Sequence, residues 1–333
     1  MSGLGSAPAR SERRMRIGIV TPAPAGTTHG NRITAIRWAS ILRKLGHRVF
    51  VAQTFQDQAI DMLIALHARR SYQSIKRFRQ QHPAAPIVVT LTGTDLYRDL
   101  PRDQKVQAAL EMATRIVALQ PKALQRLKPT LESKTQVIYQ TVEARPRPAK
   151  TRAKTKTFDV CVIGHLRAVK DPFRAALAAR LLPAASRIRI LQVGAALSTA
   201  LAKRAESESR RNPRFQWLGE MPRARVLRLI ANSQCCVLSS RMEGGANVLS
   251  EAIVAGVPVL ASRIEGNVGI LGADYPGLFS FGDTQTLAGL LLRVEKEPEF
   301  LQSLRKWIKT LAPLFDRKRE ERAWSNLIRE LQR

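Results

Sequence analysis

The sequence predicts an α/β protein with two doubly wound, Rossmann-like domains. Short apolar runs typical of buried strands alternate with helical patterns along the chain. The 333 residues suit two domains of ordinary size, and hydrophobic residues make up 44%, enough for two cores. A basic stretch without apolar periodicity, residues 143–157, contains Pro146 and Pro148 and is predicted to be the linker between the domains.

The predicted first domain covers residues 15–142. It follows a small, polar and basic segment, residues 1–14, that we expect to be a disordered extension. Helical patterns are expected at 32–45, from Ser71 onward and at 121–127. The apolar runs predict strands at 17–21, 49–52, 61–66, 87–91, 115–119 and 135–139.

The predicted second domain covers residues 158–298, and two further helical faces follow at 299–333, interrupted by Pro313. Within the second domain, helices are expected from Pro172, from Leu197 and at 223–230, 248–255 and 284–295. Strands are expected at 158–163, 188–193, 215–218, 235–238 and 259–261.

The charge predicts anionic partners. Lys and Arg number 55 against 26 Asp and Glu, a formal charge of +29. Aromatic residues are only 5% and no recognition-helix motif is present, so nucleic acid is not expected as a partner. Residues 1–14 lack the apolar segment of a signal peptide, so none is expected there, and no run approaches the ~20 apolar residues of a membrane span. We therefore expect a cytoplasmic protein without stable membrane insertion.

The three cysteines are also consistent with the expected cytoplasmic location. Cys161, Cys235 and Cys236 lie in apolar runs and have neither a disulfide nor a zinc spacing. Reduced, buried thiols are the expected state, with a nucleophilic role as the alternative.

The most informative stretch runs from Arg241 to Pro258, between a predicted strand and a predicted helix. Gly244 and Gly245 let the backbone approach a ligand there, and a helix start offers unpaired N–H groups to phosphate. Glu243 and Glu251, separated by seven residues, supply acceptors for sugar hydroxyls. Together they predict a nucleotide-sugar site; a helix entry with a surface glutamate pair is the alternative.

Further candidate anion sites follow three other strands. Lys170 stands just before the helix expected at Pro172. After the first strand, the alternative to ligand binding is an ordinary turn. After the third strand, the alternative is a solvated basic turn. The candidates after those two strands are Gly30, Asn31 and Arg32, then His67, Arg69 and Arg70.

The glutamate pair, together with Lys170, resembles the two-glutamate signature of retaining glycosyltransferases with the GT-B fold, the family 4-like group. The resemblance implies a cleft between two Rossmann-like domains, with 299–333 crossing back to brace the first; a coiled-coil partner helix is the alternative. Glu243 would contact the donor sugar and Glu251 the ribose. The amides that would hold the sugar belong to Gly244, Gly245, Ala246 and Asn247.

Two other segments resemble donor-binding parts of that family. In G-H-L-R-A-V-K-D-P, Lys170 matches the lysine of the diphosphate clamp, but His165 stands in the place of the arginine. Either His165 or Arg167 would supply the second group. F-Q-W-L-G-E-M-P resembles the segment that contacts the base, which implicates Leu218, Gly219 and Met221, and E-G-N-V-G-I-L-G resembles the family's loop after the strand at 259–261.

In the family, the glycine loop that matches Gly30, Asn31 and Arg32 faces the donor phosphates and the acceptor. The family's counterpart of the segment Thr92, Gly93, Thr94 and Asp95 often carries a histidine that serves the acceptor, and this sequence departs from the family there, because Thr92 stands in its place. G-N-R-I-T-A-I-R-W-A, L-H-A-R-R-S, L-T-G-T-D-L-Y and G-H-L-R-A-V-K-D-P are similar to one branch, the selenosugar synthases of selenoneine biosynthesis. The branch implies that His67, Arg69 and Arg70, with Arg32, form a selenophosphate pocket.

The resemblance implies transfer from UDP-N-acetylglucosamine or UDP-glucose to selenophosphate by C–Se bond formation. Functional coupling to selenophosphate-supplying and selenoneine-forming enzymes is expected, and no metal, because a D-x-D motif is absent. The donor sugar and the anomeric outcome stay open. A conventional GT-B glycosyltransferase with a lipid or saccharide hydroxyl acceptor is the main alternative, and a non-enzymatic anion or nucleic-acid binder is the other.

Overall fold

The computed structural model describes residues 13–142 and 156–333. The predicted extension 1–14, apart from its last two residues, and the predicted linker 143–157, apart from its last two, lie outside the described residues. The described chain forms two six-stranded sheets in which every strand pairing is parallel. Such sheets are buried on both faces, which explains why their strands are continuous apolar runs.

The first sheet has the order β2-β1-β3-β4-β5-β6. Its central strand β3 is fully buried, and Val49 on β2 pairs in register with Ile17 on β1. Its strands are β1 (Arg16–Val20), β2 (Arg48–Ala52), β3 (Met62–Leu66), β4 (Ile87–Thr90), β5 (Arg115–Ala118) and β6 (Thr135–Val137).

Helices cover this sheet, and two short turns lie beside them. A π-helical turn occupies Asp95–Asp99 and a 3₁₀ turn Pro121–Arg126, where the sequence predicted a helix. The helices are α1 (Gly30–Lys44), α2 (Tyr72–Gln81), α3 (Gln104–Met112) and α4 (Pro129–Glu132).

The second sheet has the order β12-β11-β10-β7-β8-β9. Its strands are β7 (Phe158–Ile163), β8 (Ile188–Val193), β9 (Phe215–Trp217), β10 (Cys235–Leu238), β11 (Val259–Ser262) and β12 (Leu278–Phe279). The three cysteines are buried in its core, on β7 and β10.

The helices after β7 that pack around this sheet are α5 (Arg174–Arg180), α6 (Thr199–Arg211), α7 (Arg223–Asn232), α8 (Asn247–Val254), α9 (Glu265–Leu271), α10 (Thr284–Lys296) and α11 (Pro298–Leu311). Two expectations are corrected here. The segment expected as a loop after β11 is the helix α9, and the helix expected at Pro172 begins at Arg174.

Each sheet reverses its strand order once, between β1 and β3 and between β7 and β10. At such a point the two connections leave in opposite directions, which opens a crevice at the carboxyl ends of the strands. The loops after β1, β3, β7 and β10 are therefore where ligands are expected to collect.

The last two helices divide between the domains. Phe300, Leu304 and Ile308 of α11 belong to the core of the second domain. Only α12 (Arg317–Leu331) returns to the first domain, where Trp324 packs edge-to-face on Trp38 of α1, with ring centroids 4.7 Å apart. This corrects the expectation that the whole of 299–333 braces the first domain. No helix within 13–142 or 156–333 is long and apolar enough to cross a membrane.

Trp324→Ala should lower the free energy of unfolding by about 3–5 kcal/mol, because it removes a fully buried indole from the contact between α12 and α1. Denaturant unfolding measures the loss. Arg322→Ala, on the exposed side of the same helix, is the control and should change stability by less than about 0.5 kcal/mol. Equal effects of the two changes would contradict the assigned brace.

Candidate active site in the cleft between the domains

The loops after β7 and β10 lie side by side because these strands are neighbours in the second sheet. Arg241 donates its backbone N–H to Val169 O at 2.8 Å, and the Ser239 hydroxyl donates to Asp171 O at 2.8 Å. These bonds bring Lys170 Nζ within 2.5 Å of Glu243 Oε1. Two of the four residues that the sequence proposed for catalysis, with His165 and Arg167 as the others, therefore face each other in one pocket.

The local setting of Lys170 differs from the prediction. The residue ends a 3₁₀ turn, Ala168–Lys170, and Asp171 then adopts a left-handed conformation with φ of 43° before α5 begins at Arg174. Lys170 is thus neither beside a helix N-terminus nor a first-turn lysine. Its position depends on the turn and on the ion pair with Glu243, whereas the sequence placed it just before a helix.

The Glu243–Asn247 segment, called the donor loop below, touches the first domain through backbone atoms. A Cβ on Gly244 would lie 2.2 Å from Thr92 O, and one on Gly93 would lie 2.9 Å from Gly244 N. A Cβ on Gly245 would lie 2.6 Å from the Cβ of Leu119. Only glycine permits so close an approach, which joins the two domains at the predicted site.

Side chains of the first domain also hold the donor loop. Gln140 Nε2 donates to Gly245 O at 2.7 Å, and Arg37 Nη1 donates to Asn247 Oδ1 at 3.1 Å. Asn247 Nδ2 donates to Gly30 O at 3.4 Å. Ala246 is the buried N-cap residue of α8. The sequence did not single out Gln140 or Arg37, since nothing local in the chain marks them as neighbours of this loop.

The second glutamate of the predicted pair lies outside the donor loop, on α8. Glu251 on α8 is buried, and its Oε1 is 2.7 Å from Arg223 Nη1. The segment implicated in base contact follows β9: Leu218 N–H donates to Gln192 O, and Gly219 has a left-handed φ of 68°. Met221 is half-buried beside it, close in sequence to the helix α7 that carries Arg223. These residues lie at the carboxyl end of the second sheet, on the same side as the donor loop.

His165 is a neutral hydrogen-bond donor. Burial lowers the pKa of its imidazole, and His29, Arg167 and Lys170 lower that pKa further, against the opposing charge of Glu220. Its Nδ1 accepts from Ala195 N–H at 3.2 Å, so the remaining proton lies on Nε2. Nε2 is 3.4 Å from Thr28 Oγ1 in the first domain.

His29 joins this arrangement although the sequence analysis missed it. Its ring meets that of His165 edge-to-face across the cleft, with centroids 5.0 Å apart. The neighbouring Thr28 hydroxyl donates to Glu220 Oε1 at 2.6 Å. Its position in the sequence, directly before Gly30 at the end of the loop after β1, could have identified it as a candidate.

Three of the predicted cations have no ion-pair partner among residues 13–142 and 156–333. Arg167 and Arg70 are exposed, and Arg32 is half-buried in the first turn of α1. Asn31 lies beside Arg32 and is half-buried too. Arg32, Arg70 and Arg167 follow β1, β3 and β7, the strands whose carboxyl ends open the crevices, and we call these three cations the rim.

His67 and Arg69 do not join that rim. His67 is 3% exposed; its Nδ1 accepts from Arg70 N–H and its Nε2 lies 2.9 Å from Thr94 Oγ1. Burial lowers the pKa of its imidazole, with Asp95 opposing. Arg69 is paired with Asp103. The predicted anion pocket is thereby corrected for His67, whose two nitrogens serve the internal structure, and for Arg69, which is paired with Asp103. Arg70 has no such partner among the described residues and stays a candidate.

The Thr92–Asp95 segment also has an internal role. The Asp95 carboxylate is fully buried and accepts backbone N–H groups from Thr92, Gly93 and Ala68, each at 2.9 Å. The Thr92 hydroxyl donates to the same carboxylate at 3.1 Å. Asp95 thus fixes the turn that presents Gly93 to Gly244, and the segment acts in domain contact where an acceptor site was predicted.

Known proteins support the fold. Residues 145–310 match the family model described as glycosyl transferases group 1. A curated relative, glycosyltransferase 1 domain-containing protein 1 of Xenopus tropicalis, is 25% identical over 299 residues, which are 81% of this chain and 85% of that protein.

Among solved structures, sucrose-phosphate synthase of Thermosynechococcus elongatus has a TM-score of 0.76 at 17% identity and covers 96% of this chain and 99% of its own. Anabaena HepE in complex with UDP-glucose has a TM-score of 0.72 at 17% identity and covers 95% and 99%. The chain therefore has the GT-B fold.

Gly244→Ala should cost about 1–3 kcal/mol of unfolding free energy, because the added methyl group overlaps the backbone of Thr92 and Gly93. Calorimetry or denaturant unfolding measures the change. The matched control is Gly289→Ala in α10, where nothing lies within 4 Å of the new Cβ; that variant should be neutral or more stable. A neutral Gly244→Ala variant would rule out the close domain contact.

Proposed function

We propose that this chain, whose residues 145–310 match the model of group 1 glycosyl transferases, transfers the sugar of a UDP-sugar to selenophosphate. The UDP-sugar would be bound by the second domain. Glu251 would hold the ribose, and the 218–221 segment the base. Glu243 and the amides of the donor loop would hold the sugar. The crystallised complex of Anabaena HepE with UDP-glucose supports the choice of donor class.

The observation that carries the donor assignment is the Lys170–Glu243 contact of 2.5 Å at the meeting point of the loops after β7 and β10. The pair places a cation for the departing diphosphate next to an acceptor for sugar hydroxyls. Neutral His165, with its proton on Nε2, would donate the second hydrogen bond to the diphosphate. Arg167, which is exposed, would contribute charge from the rim.

The acceptor assignment rests on the similarity of four sequence segments to selenosugar synthases and on the cations of the cleft rim. Arg32 and Arg70 would attract a dianionic nucleophile to the first domain, since neither has an ion-pair partner in the described part of the chain. Selenophosphate needs positioning and charge compensation more than a general base, because its selenium is already anionic and polarisable.

The reaction balances without a further co-reactant except water. Selenium attacks the anomeric carbon; the C–Se bond forms as the C–O bond to UDP breaks, and the electron pair leaves with the diphosphate. Lys170 and His165 would stabilise that developing charge. Hydrolysis of the Se–P bond then releases phosphate and the selenosugar. No step calls for a metal ion, and the proposal includes none.

A conventional glycosyltransferase with a hydroxyl acceptor is the second candidate. The observation that favours it is His29, whose Nδ1 is bonded to Thr27 Oγ1 while its Nε2 has no hydrogen bond among residues 13–142 and 156–333. An imidazole at the cleft can take a proton from a hydroxyl nucleophile, a group that selenophosphate does not need. His29→Gln should therefore abolish most activity in the second candidate and little in the first.

Lys170→Ala should lower the turnover of the UDP-sugar by a factor on the order of a hundred, as the loss of one preorganised donor does. Steady-state kinetics with saturating donor measures it. Lys203→Ala, on the exposed face of α6, keeps the same change of charge away from the cleft and should retain normal turnover. A Lys170→Ala variant with near-normal turnover would exclude Lys170 from catalysis.

The reaction is tested by mass spectrometry of purified protein incubated with UDP-glucose or UDP-N-acetylglucosamine, with and without enzymatically generated selenophosphate. The expected product has a selenium isotope pattern at the mass of a sugar selenol or its diselenide. Release of UDP without any selenium product would refute the selenophosphate assignment and leave the hydroxyl acceptor as the working assignment.

A further inference from the structure

An ion pair is buried beneath the donor loop. Arg37 of α1 is 4% exposed and Glu320 of α12 is 1% exposed. Arg37 Nε lies 3.2 and 3.4 Å from the two carboxylate oxygens. A buried pair is stable only when hydrogen bonds satisfy its remaining atoms. Glu320 meets this condition, because it also accepts from Trp38 Nε1 at 2.7 Å and from the backbone N–H and the hydroxyl of Thr141.

The other side of the guanidinium points to the site. Arg37 Nη2 donates to Gln140 Oε1 at 2.7 Å, and Arg37 Nη1 donates to Asn247 Oδ1 at 3.1 Å. Gln140 in turn donates to Gly245 O. One side chain of the first domain thus controls two atoms of the donor loop, one directly and one through Gln140.

The guanidinium can transmit orientation because it is planar. Its five N–H groups point in fixed directions, so a carboxylate that fixes Nε also fixes the directions of both terminal nitrogens. Lysine carries the same charge as a single rotatable ammonium and cannot serve three partners on two sides. Donor amides must be held to about 0.5 Å for effective binding of a transition state.

We propose that Arg37 is a positioning residue: α12, through Glu320 and Arg37, sets the geometry of Gly245 and Asn247 in the donor loop. The sugar-holding role of that loop rests on the function proposed above. The C-terminal helix is then part of the active-site support, and the I-R-W-A segment of α1 has a role beyond core packing.

Arg37→Lys is the main test, and its control is a second ion pair between α12 and the first domain. Arg115 of β5 pairs with Glu330 of α12, away from the donor loop. Arg115→Lys makes the same chemical change in a contact that also joins α12 to the first domain. Amide hydrogen exchange of residues 244–250 should speed up on the order of tenfold in Arg37→Lys and stay unchanged in Arg115→Lys.

Kinetics give the second measurement. In Arg37→Lys, kcat with a UDP-sugar should fall on the order of tenfold, while the affinity for UDP alone stays within about twofold, since the affected atoms hold the sugar. A loss confined to thermal stability, with exchange and kcat equal to those of Arg115→Lys, would overturn the proposal.

Asn247→Ala removes the same hydrogen bond from the donor-loop side and leaves the buried ion pair in place. It replaces Arg37→Lys as the test if that variant does not fold. Asn247→Ala should also speed exchange across 244–250. The double variant should lose no more activity than the stronger single variant, because contacting residues are not additive. Fully additive losses would refute the link. If the wild-type protein turns over no UDP-sugar, the proposed function fails, but the exchange experiment still decides the role of Arg37.

Discussion

The site depends on a backbone contact between the two domains. Gly244 approaches Thr92 and Gly93 so closely that a single methyl group would overlap main-chain atoms. Each sheet opens its own crevice at the carboxyl ends of its strands, and the contact merges the two crevices into one cleft. Across this cleft His165 meets Thr28 and His29 of the first domain.

Buried polar groups stabilise this contact from behind. Asp95 fixes the turn at Gly93 by accepting three backbone N–H groups, and the pair of Arg37 and Glu320 supports the donor loop. Both carboxylates are fully hydrogen-bonded, which makes their burial tolerable. The chain enters the second domain once and returns through α12, so the helix that closes the fold also supports the site.

Cations without an ion-pair partner lie on both sides of the cleft. In the second domain Lys170 is balanced by Glu243 and Glu251 by Arg223, but Arg167 has no ion-pair partner in the described residues, and neither have Arg32 and Arg70 of the first domain. These cations would attract an anionic ligand to the cleft, and the attraction would weaken as salt increases. In the proposed reaction they favour an anionic acceptor, whereas His29 favours a hydroxyl acceptor.

Local pattern in the sequence determined the two parallel sheets and the donor loop, because buried strands are apolar runs and because a close backbone approach requires glycine at 244 and 245. Tertiary structure alone decided the rest. Arg37 and Glu320 are 283 residues apart, so no local signal could pair them. His67 looked like an anion ligand until burial and two hydrogen bonds engaged both nitrogens. Sequence shows which groups are available, but contacts between distant segments decide which of them remain free to bind.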